Sequence, residues 1–324
     1  MVMSLLEIKD LRMYYSIEKK GWVKAVDGIN LRVGKGKTLG LVGESGCGKS
    51  SLGLTILRIL PSNAKIMDGQ IKLEGQDILS MPEDRFRKEV RWKKISMVFQ
   101  GAMNALNPVM KIGDQIAEAI MVHEDVSKKE ALERAKQLLK MVGIDPARAN
   151  HYPHEFSGGM KQRVMIAMAL ACNPILLIAD EPTTALDVIV QAQILKLIKD
   201  IQQQTRFSTI LITHDLSIVA ELCDEVAVMY AGKIVEYGPV EKVYLEPRHP
   251  YTYKLIGATP SVKGVRRRLE FIPGVPPNLL NPPPGCRFHP RCPYAIDRCR
   301  VEEPETKEVD GVLVSCHRVD ELWS

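Results

Sequence analysis

The sequence predicts an α/β fold: a mixed, mainly parallel sheet with flanking helices, an antiparallel β subdomain at its edge, an inserted helical subdomain and a small loop-rich C-terminal domain. Three observations carry this. Short continuous apolar runs, "TLGLVG" (38–43), "ILLIAD" (175–180) and "TILIT" (209–213), are bounded by turn residues and alternate with helical patterns, as strands covered on both faces require. From about 101 to 165, in "IGDQIAEAIMVHE" and "SKKEALERAKQLLKMVGI", apolar residues recur at three- and four-residue steps, the mark of amphipathic helices. "VAVMYAGKIVEYG" (226–238) holds two β-rich runs joined by Ala231-Gly232 and predicts a hairpin at the sheet edge. Past about 238 the chain is dense in proline and turn residues, which sets the expected division at 1–238 and 239–324.

Bulk properties narrow the function classes. No stretch approaches the twenty or so apolar residues that span a bilayer, and "MVMSLLEIKDLRMYY" carries charge where a signal peptide needs an apolar core. A cytosolic location follows as the expectation. A net charge of +5 over 324 residues is too weak to argue for nucleic acid, so partners must be argued from sites. In a reducing compartment clustered cysteines point to metal or redox chemistry rather than structural disulfides.

"GESGCGKS" fits the phosphate-binding pattern of P-loop NTPases, with Gly43, four residues, then Gly48, Lys49 and Ser50, between a buried strand and the apolar "SLGLTILRIL". Glycines let successive N–H groups converge on phosphate oxygens, and the next helix adds its positive end. Gly43, Glu44, Ser45, Gly46, Cys47, Gly48, Lys49, Ser50 and Ser51 are the candidate nucleotide-binding residues. Lys49 is expected to bridge the β- and γ-phosphates and Ser50 to ligate Mg²⁺. The strand "ILLIAD" ends in Asp180 and Glu181, where one carboxylate can support the metal and its neighbour can polarise the attacking water. In "FSGGMKQR", Ser157 and the Gly158-Gly159 pair open a helical run and make a second anion site. Since one triphosphate needs one cradle, this second site suits a nucleotide held by another subunit.

With these motifs in order, residues 5–240 resemble the ATP-binding subunits of ABC transporters. "FSGGMKQR" is similar to the family signature, "SMVFQGAMNALNP" to its glutamine loop, "TALD" (184–187) to its D-loop and "LITHD" to its switch histidine. The resemblance implies that Glu181 is the general base, that Asp180 supports Mg²⁺, and that Gln100 senses metal and water and couples to a membrane subunit. It implies that His214 contacts the γ-phosphate. Ser157, Gly158 and Gly159 would act in trans on a partner's ATP, and Asp187 would cross the dimer interface. For adenine stacking Tyr15 is the best match, with Tyr14 and Trp22 as alternatives, and core packing competes for any tyrosine there. Phe156 and Met160 depart from the usual signature leucine and glutamine, and Thr184 replaces a D-loop serine.

The tail resembles the C-terminal extension of dipeptide and oligopeptide importer ATPases in "PRHPYTYKLIGATP", "FIPGVPPNLLNPPPGCRFHPRCPYAIDRC" and the late "CH". This implies two transmembrane permease subunits, a second ATPase subunit (identical or different), an extracellular or periplasmic peptide-binding protein, and a place on the cytoplasmic face of the membrane. Nickel or glutathione cargo, and a soluble ABC ATPase acting on nucleic acid or ribosomes, stand as alternatives. Cys286, Cys292, Cys299 and Cys316 follow the spacing C-x5-C-x6-C-x16-C, which lacks the C-x2-C pairs of most zinc modules and suits a [4Fe–4S] cluster. Zn²⁺, with His289 or His317, and free or transiently oxidised thiols are the alternatives. Cys47, Cys172 and Cys223 are expected to be small packing residues. The basic run "KGVRRRLE" (263–270) is expected to be a solvated face.

Overall fold

The computed structural model describes residues 4–184, 186–258 and 272–322. The basic run at 263–270 lies outside them. In chain order the elements begin β1 (Ser4–Ile17), β2 (Gly21–Gly34), β3 (Thr38–Val42), α1 (Lys49–Ile56), β4 (Ala64–Leu73), β5 (Gln76–Asp77), α2 (Glu83–Glu89) and β6 (Ile95–Val98). Helices α3 (Ile112–His123), α4 (Lys128–Met141) and α5 (Gly158–Ala169) follow, then β7 (Leu176–Asp180), α6 (Val188–Thr205), β8 (Ser208–Ile212) and α7 (Leu216–Leu222). The chain continues through β9 (Glu225–Tyr230), β10 (Lys233–Pro239), α8 (Val240–Leu245), α9 (Pro250–Gly257), α10 (Asp297–Val301), β11 (Lys307–Val309), β12 (Val312–Val314) and α11 (Val319–Leu322). They form two compact units: one from Gly34–Lys37 and Ile78–Leu211, the other from Ser4–Val33, Thr38–Asp77 and the chain from Ile212 onward.

The first unit contains the predicted helical insertion. Strands β8, β7 and β6 lie side by side, β6 and β7 parallel. Ile112, Ile116 and Ile120 of α3 fall at four-residue steps and are fully buried with Ala131, Ala135 and Leu139 of α4. Val164, Ile166 and Ala167 of α5, Leu177 of β7, and Ile194 and Ile198 of α6 complete the same core. Ser127 caps α4 by accepting from the Glu130 N–H. The insertion therefore has no core of its own; its helices close over β7 and α6.

The second unit holds a four-stranded sheet in the order β2-β1-β4-β5 and a run of five strands in the order β11-β12-β10-β9-β3. β3 and β9 are parallel, while β9-β10, β10-β12 and β12-β11 are antiparallel. The predicted hairpin is present, with Ala231 (φ 48°) and Gly232 (φ 84°) as its turn. Its expected position at the sheet edge is corrected, because Val312–Val314 of the tail adds a strand beyond β10.

The expected division at residue 238 falls inside β10 and does not match the packing. Tyr230 of β9, Tyr251 of α9 and Phe288 of the tail are fully buried together, with ring centroids 4.6, 5.2 and 5.4 Å apart. Val312, Val314 and Val319 join Val42, Val226 and Val228 in that core. Arg287 donates to the Asp27 carboxylate of β2 and to the Ala231 carbonyl. Burial works against ionisation of Asp27, but the Tyr14 hydroxyl and the Arg287 charge hold its pKa below the usual carboxylate range.

Glu236 of β10 is a second anchor. Its fully buried carboxylate accepts from the Arg248 N–H at 2.7 Å and the His249 N–H at 2.9 Å, ahead of α9. Burial pushes its pKa up to about 7, against those hydrogen bonds. A carboxyl with a raised folded-state pKa favours folding most at low pH, and the advantage is lost as pH rises to the folded value. Unfolding free energy measured in urea should therefore fall by roughly 2–3 kcal/mol between about pH 4.5 and 7 through this group, and Glu236→Gln should flatten that window.

Candidate functional site

In the second unit β3 feeds the loop 43–48 and then α1. Gly43 (φ 148°), Gly46 (φ 78°) and Gly48 (φ 109°) adopt conformations that side chains resist. A Cβ on Gly43 would lie 2.0 Å from the Met229 carbonyl oxygen, and one on Gly48 would lie 2.0 Å from that of Ala25. Two strands thus press on this backbone, which is why glycine recurs there. Lys49 is buried and its Nζ donates to the carbonyls of Gly43 at 2.7 Å and Glu44 at 3.1 Å. Ser50 and Ser51 lie in the first turn of α1. The Tyr15 hydroxyl stands 3.0 Å from Ser51 Oγ, whereas Tyr14 donates to Asp27 at 2.5 Å. Of the two tyrosines, Tyr15 is therefore the one beside the loop. Cys47 is buried, and burial pushes its thiol up against the opposing charge of Lys49. His214 is exposed in this unit, just before the α7 cap Asp215.

In the first unit the register Val98↔Ala179 brings the ends of β6 and β7 to one edge. Gln100 and Glu181, 81 positions apart, meet there, Gln100 Nε2 donating to Glu181 Oε2 at 2.8 Å. Glu181 has φ 42°, a rare conformation for a side-chain-bearing residue, and the Thr184 hydroxyl donates to its carbonyl at 3.1 Å and its carboxylate at 3.2 Å. Asp180 is buried at the end of β7.

The same unit pairs the two other motifs. Ser157 caps α5, its hydroxyl accepting from the Met160 N–H, and Asp187 caps α6, accepting from the Val190 N–H at 2.9 Å. A Cβ on Gly159 would lie 2.7 Å from Val190 Cγ1, and one on Gly158 would lie 3.4 Å from Leu186 Cδ2. The starts of α5 and α6 are in close contact, so the glycines serve packing there. Of the two departures from the usual signature, Phe156 is buried and Met160 packs against the helical core.

The tail gathers its four cysteines. Cys286, Cys292, Cys299 and Cys316 line one small cavity with His249, His289 and His317, and all are free thiols. The Cys286 N–H donates to the Cys299 carbonyl at 2.9 Å, tying two of the segments. Burial pushes the Cys286 thiol up to about 12 and Cys292 to about 11, and raises Cys316. His289 Nδ1 lies 2.9 Å from the Cys286 carbonyl and His317 Nε2 2.9 Å from that of Glu302. Among the described residues no three His, Cys, Asp or Glu side chains stand at the spacing of a single metal ion. Cys47 and Cys172 are buried as expected of packing residues, and Cys223 is half-buried.

Two contacts around the loop had no signal in the sequence. The Glu44 N–H donates to the Tyr251 hydroxyl at 2.9 Å, and the Glu44 carboxylate takes both ends of the Arg291 guanidinium. Both partners lie more than 200 positions away, beyond the reach of any local pattern.

Comparison with known proteins then places the chain. The ABC transporter family profile matches residues 26–184, and that of the oligopeptide/dipeptide transporter C-terminal region matches residues 235–299. The oligopeptide transport ATP-binding protein AppD of Bacillus subtilis is 49% identical over 322 residues, covering 98% of both chains. The chain belongs to the ABC transporter ATP-binding proteins. OppD of Escherichia coli, an oligopeptide transport ATP-binding protein, is 47% identical to this ABC ATPase over 98% of its chain and 95% of the relative. Among solved structures, the dimeric bacterial ABC transporter cassette MJ0796 superposes with a TM-score of 0.64 at 27% identity, over 72% of this chain and 98% of that one. No helix of the described residues is long and apolar enough to cross a membrane.

The loop geometry makes a graded prediction for this ABC ATPase. Gly48→Ala should abolish binding of a fluorescent ATP analogue, because its methyl meets a strand carbonyl. Gly46→Ala, whose added methyl meets open space, should weaken binding only about tenfold through backbone strain.

Proposed function

We propose that this ABC ATPase powers uptake of oligopeptides or dipeptides, working at the cytoplasmic face of a membrane with a second ATPase subunit and two permease subunits. An external peptide-binding protein would deliver the cargo. The observation that carries this reading is similarity to peptide-transport ATP-binding proteins over nearly the whole chain, including the C-terminal region.

Each residue role follows from its chemistry. Backbone N–H groups of residues 43–51 and the Lys49 ammonium take up the phosphate charge. Tyr15 lends its ring to adenine. Glu181, with Gln100 and Thr184 on its carboxylate, accepts a proton from the attacking water, and His214 supports the γ-phosphate. Ser50 in one unit, and Gln100 and Asp180 in the other, each carry an oxygen donor of the hard kind that Mg²⁺ takes, and Mg²⁺ would neutralise phosphate charge when bound. Ser157, Gly158 and Gly159 present an N-terminal helix end to a partner's nucleotide, and Asp187 reaches the partner. ATP favours the closed pair and hydrolysis releases it, so each cycle shifts the pair between two states that permeases can follow.

Four thiols on one cavity are the soft donor set of a [4Fe–4S] cluster, and we assign Cys286, Cys292, Cys299 and Cys316 to hold one. When bound, it would cross-link the loops of the tail. Zinc, held by the same thiols with His289 or His317, is the alternative.

Two outcomes test this reading. Glu181→Gln should bind ATP, lose multiple turnover and accumulate as a dimer on gel filtration; sustained hydrolysis would remove Glu181 as the base. Anaerobically purified protein should show visible cluster absorbance and bound iron that Cys292→Ser loses, while stoichiometric zinc without iron would refute the assignment.

A further inference from the structure

Glu44 is the second residue of the phosphate loop, and the motif makes no demand on its side chain. Yet it is the one carboxylate of the loop, and it is held in place. Arg291 donates to it through Nη1 at 2.6 Å and Nη2 at 2.9 Å, a bidentate pair. Arg291 is itself fixed: its Nε donates to the Pro273 carbonyl at 2.8 Å, Nη1 also reaches the Tyr230 hydroxyl at 3.2 Å, and its side chain is only 5% exposed. The Glu44 N–H is held by Tyr251, and the Glu44 carbonyl accepts from both Lys49 Nζ and the Cys47 N–H. Any shift of Glu44 therefore moves a carbonyl on which the phosphate-binding lysine rests.

The charge balance points the same way. A loop built to receive a polyanion carries a carboxylate, which repels phosphate unless it is neutralised. The neutralising cation comes from the 3₁₀ turn His289–Arg291, between Cys286 and Cys292.

We propose that Arg291 is a positioning residue for ATP binding: it neutralises Glu44 and holds the first limb of the phosphate loop in its receptive shape, tying that loop to the thiol-lined segment. The proposal rests on the loop being the ATP site. Because Arg291 touches the loop backbone's support and not the reacting atoms, its loss is expected to act on affinity rather than on the chemical step.

The test measures affinity for a fluorescent ATP analogue, together with KM and kcat, in the full chain. Arg291→Gln should weaken binding and raise KM about tenfold, equivalent to about 1.4 kcal/mol, with kcat little changed. Arg291→Lys, which keeps the charge but not the fork, should fall between. Glu44→Gln, at a side chain 24% exposed, tests the pair without emptying a buried arginine site. Introduced into Arg291→Gln it should recover part of the lost affinity, since the uncompensated carboxylate is then gone. Unchanged affinity in Arg291→Gln, or strictly additive losses in the double variant, would overturn the proposal. Lys49→Ala serves as the reference: if it binds nucleotide normally the reading of the loop fails, whereas lost binding there with unchanged Arg291→Gln defeats the role of Arg291 alone.

Discussion

The packing of Phe288 against Tyr230 and Tyr251 is the contact on which the second unit depends. Three fully buried rings bury a large apolar area and can do so only if the tail returns to the strands that support the phosphate loop. Around them, β12 extends the strand run beyond β10, Arg287 reaches Asp27, and Arg291 reaches Glu44. Removing one partner of such enclosed ion pairs leaves an uncompensated charge, so these contacts specify the arrangement as much as they stabilise it. The tail packs into the unit that carries the phosphate loop.

Local constraints were legible in the sequence. The phosphate loop could be read because Gly43, Gly46 and Gly48 take positive φ within one short motif, although the carbonyls of Met229 and Ala25 that press on Gly43 and Gly48 come from distant strands. Helices α3 and α4 were equally plain, since their isoleucines, alanines and leucines repeat on one face. The cap Ser157 followed from residue type and position, whereas the capping of α6 by Asp187 did not.

What the sequence hid was long-range. The tail's proline-rich text suggested a separate appendage, because apolar residues such as Phe288, Val312 and Val314 are too sparse to show a period and find their partners on β9 and β3. For the same reason the β9-β10 hairpin was placed at an edge that β12 covers. The resemblance gave Gln100 and Glu181 separate roles, and their contact emerges only from the parallel register of β6 and β7. The Glu44 side chain had no pattern to announce it. Convergence of the four cysteines on one cavity was suggested by spacing alone, and their shared lining supports that suggestion.

The central claim is that the tail and the phosphate loop form one cooperative body, and amide hydrogen exchange of Phe288→Ala against the parent tests it most directly. Loss of the buried ring should raise exchange together in the 43–50 segment, in β9 and in the stretch from Cys286 to Val319. Faster exchange confined to the tail, with the phosphate loop as protected as in the parent, would contradict the account.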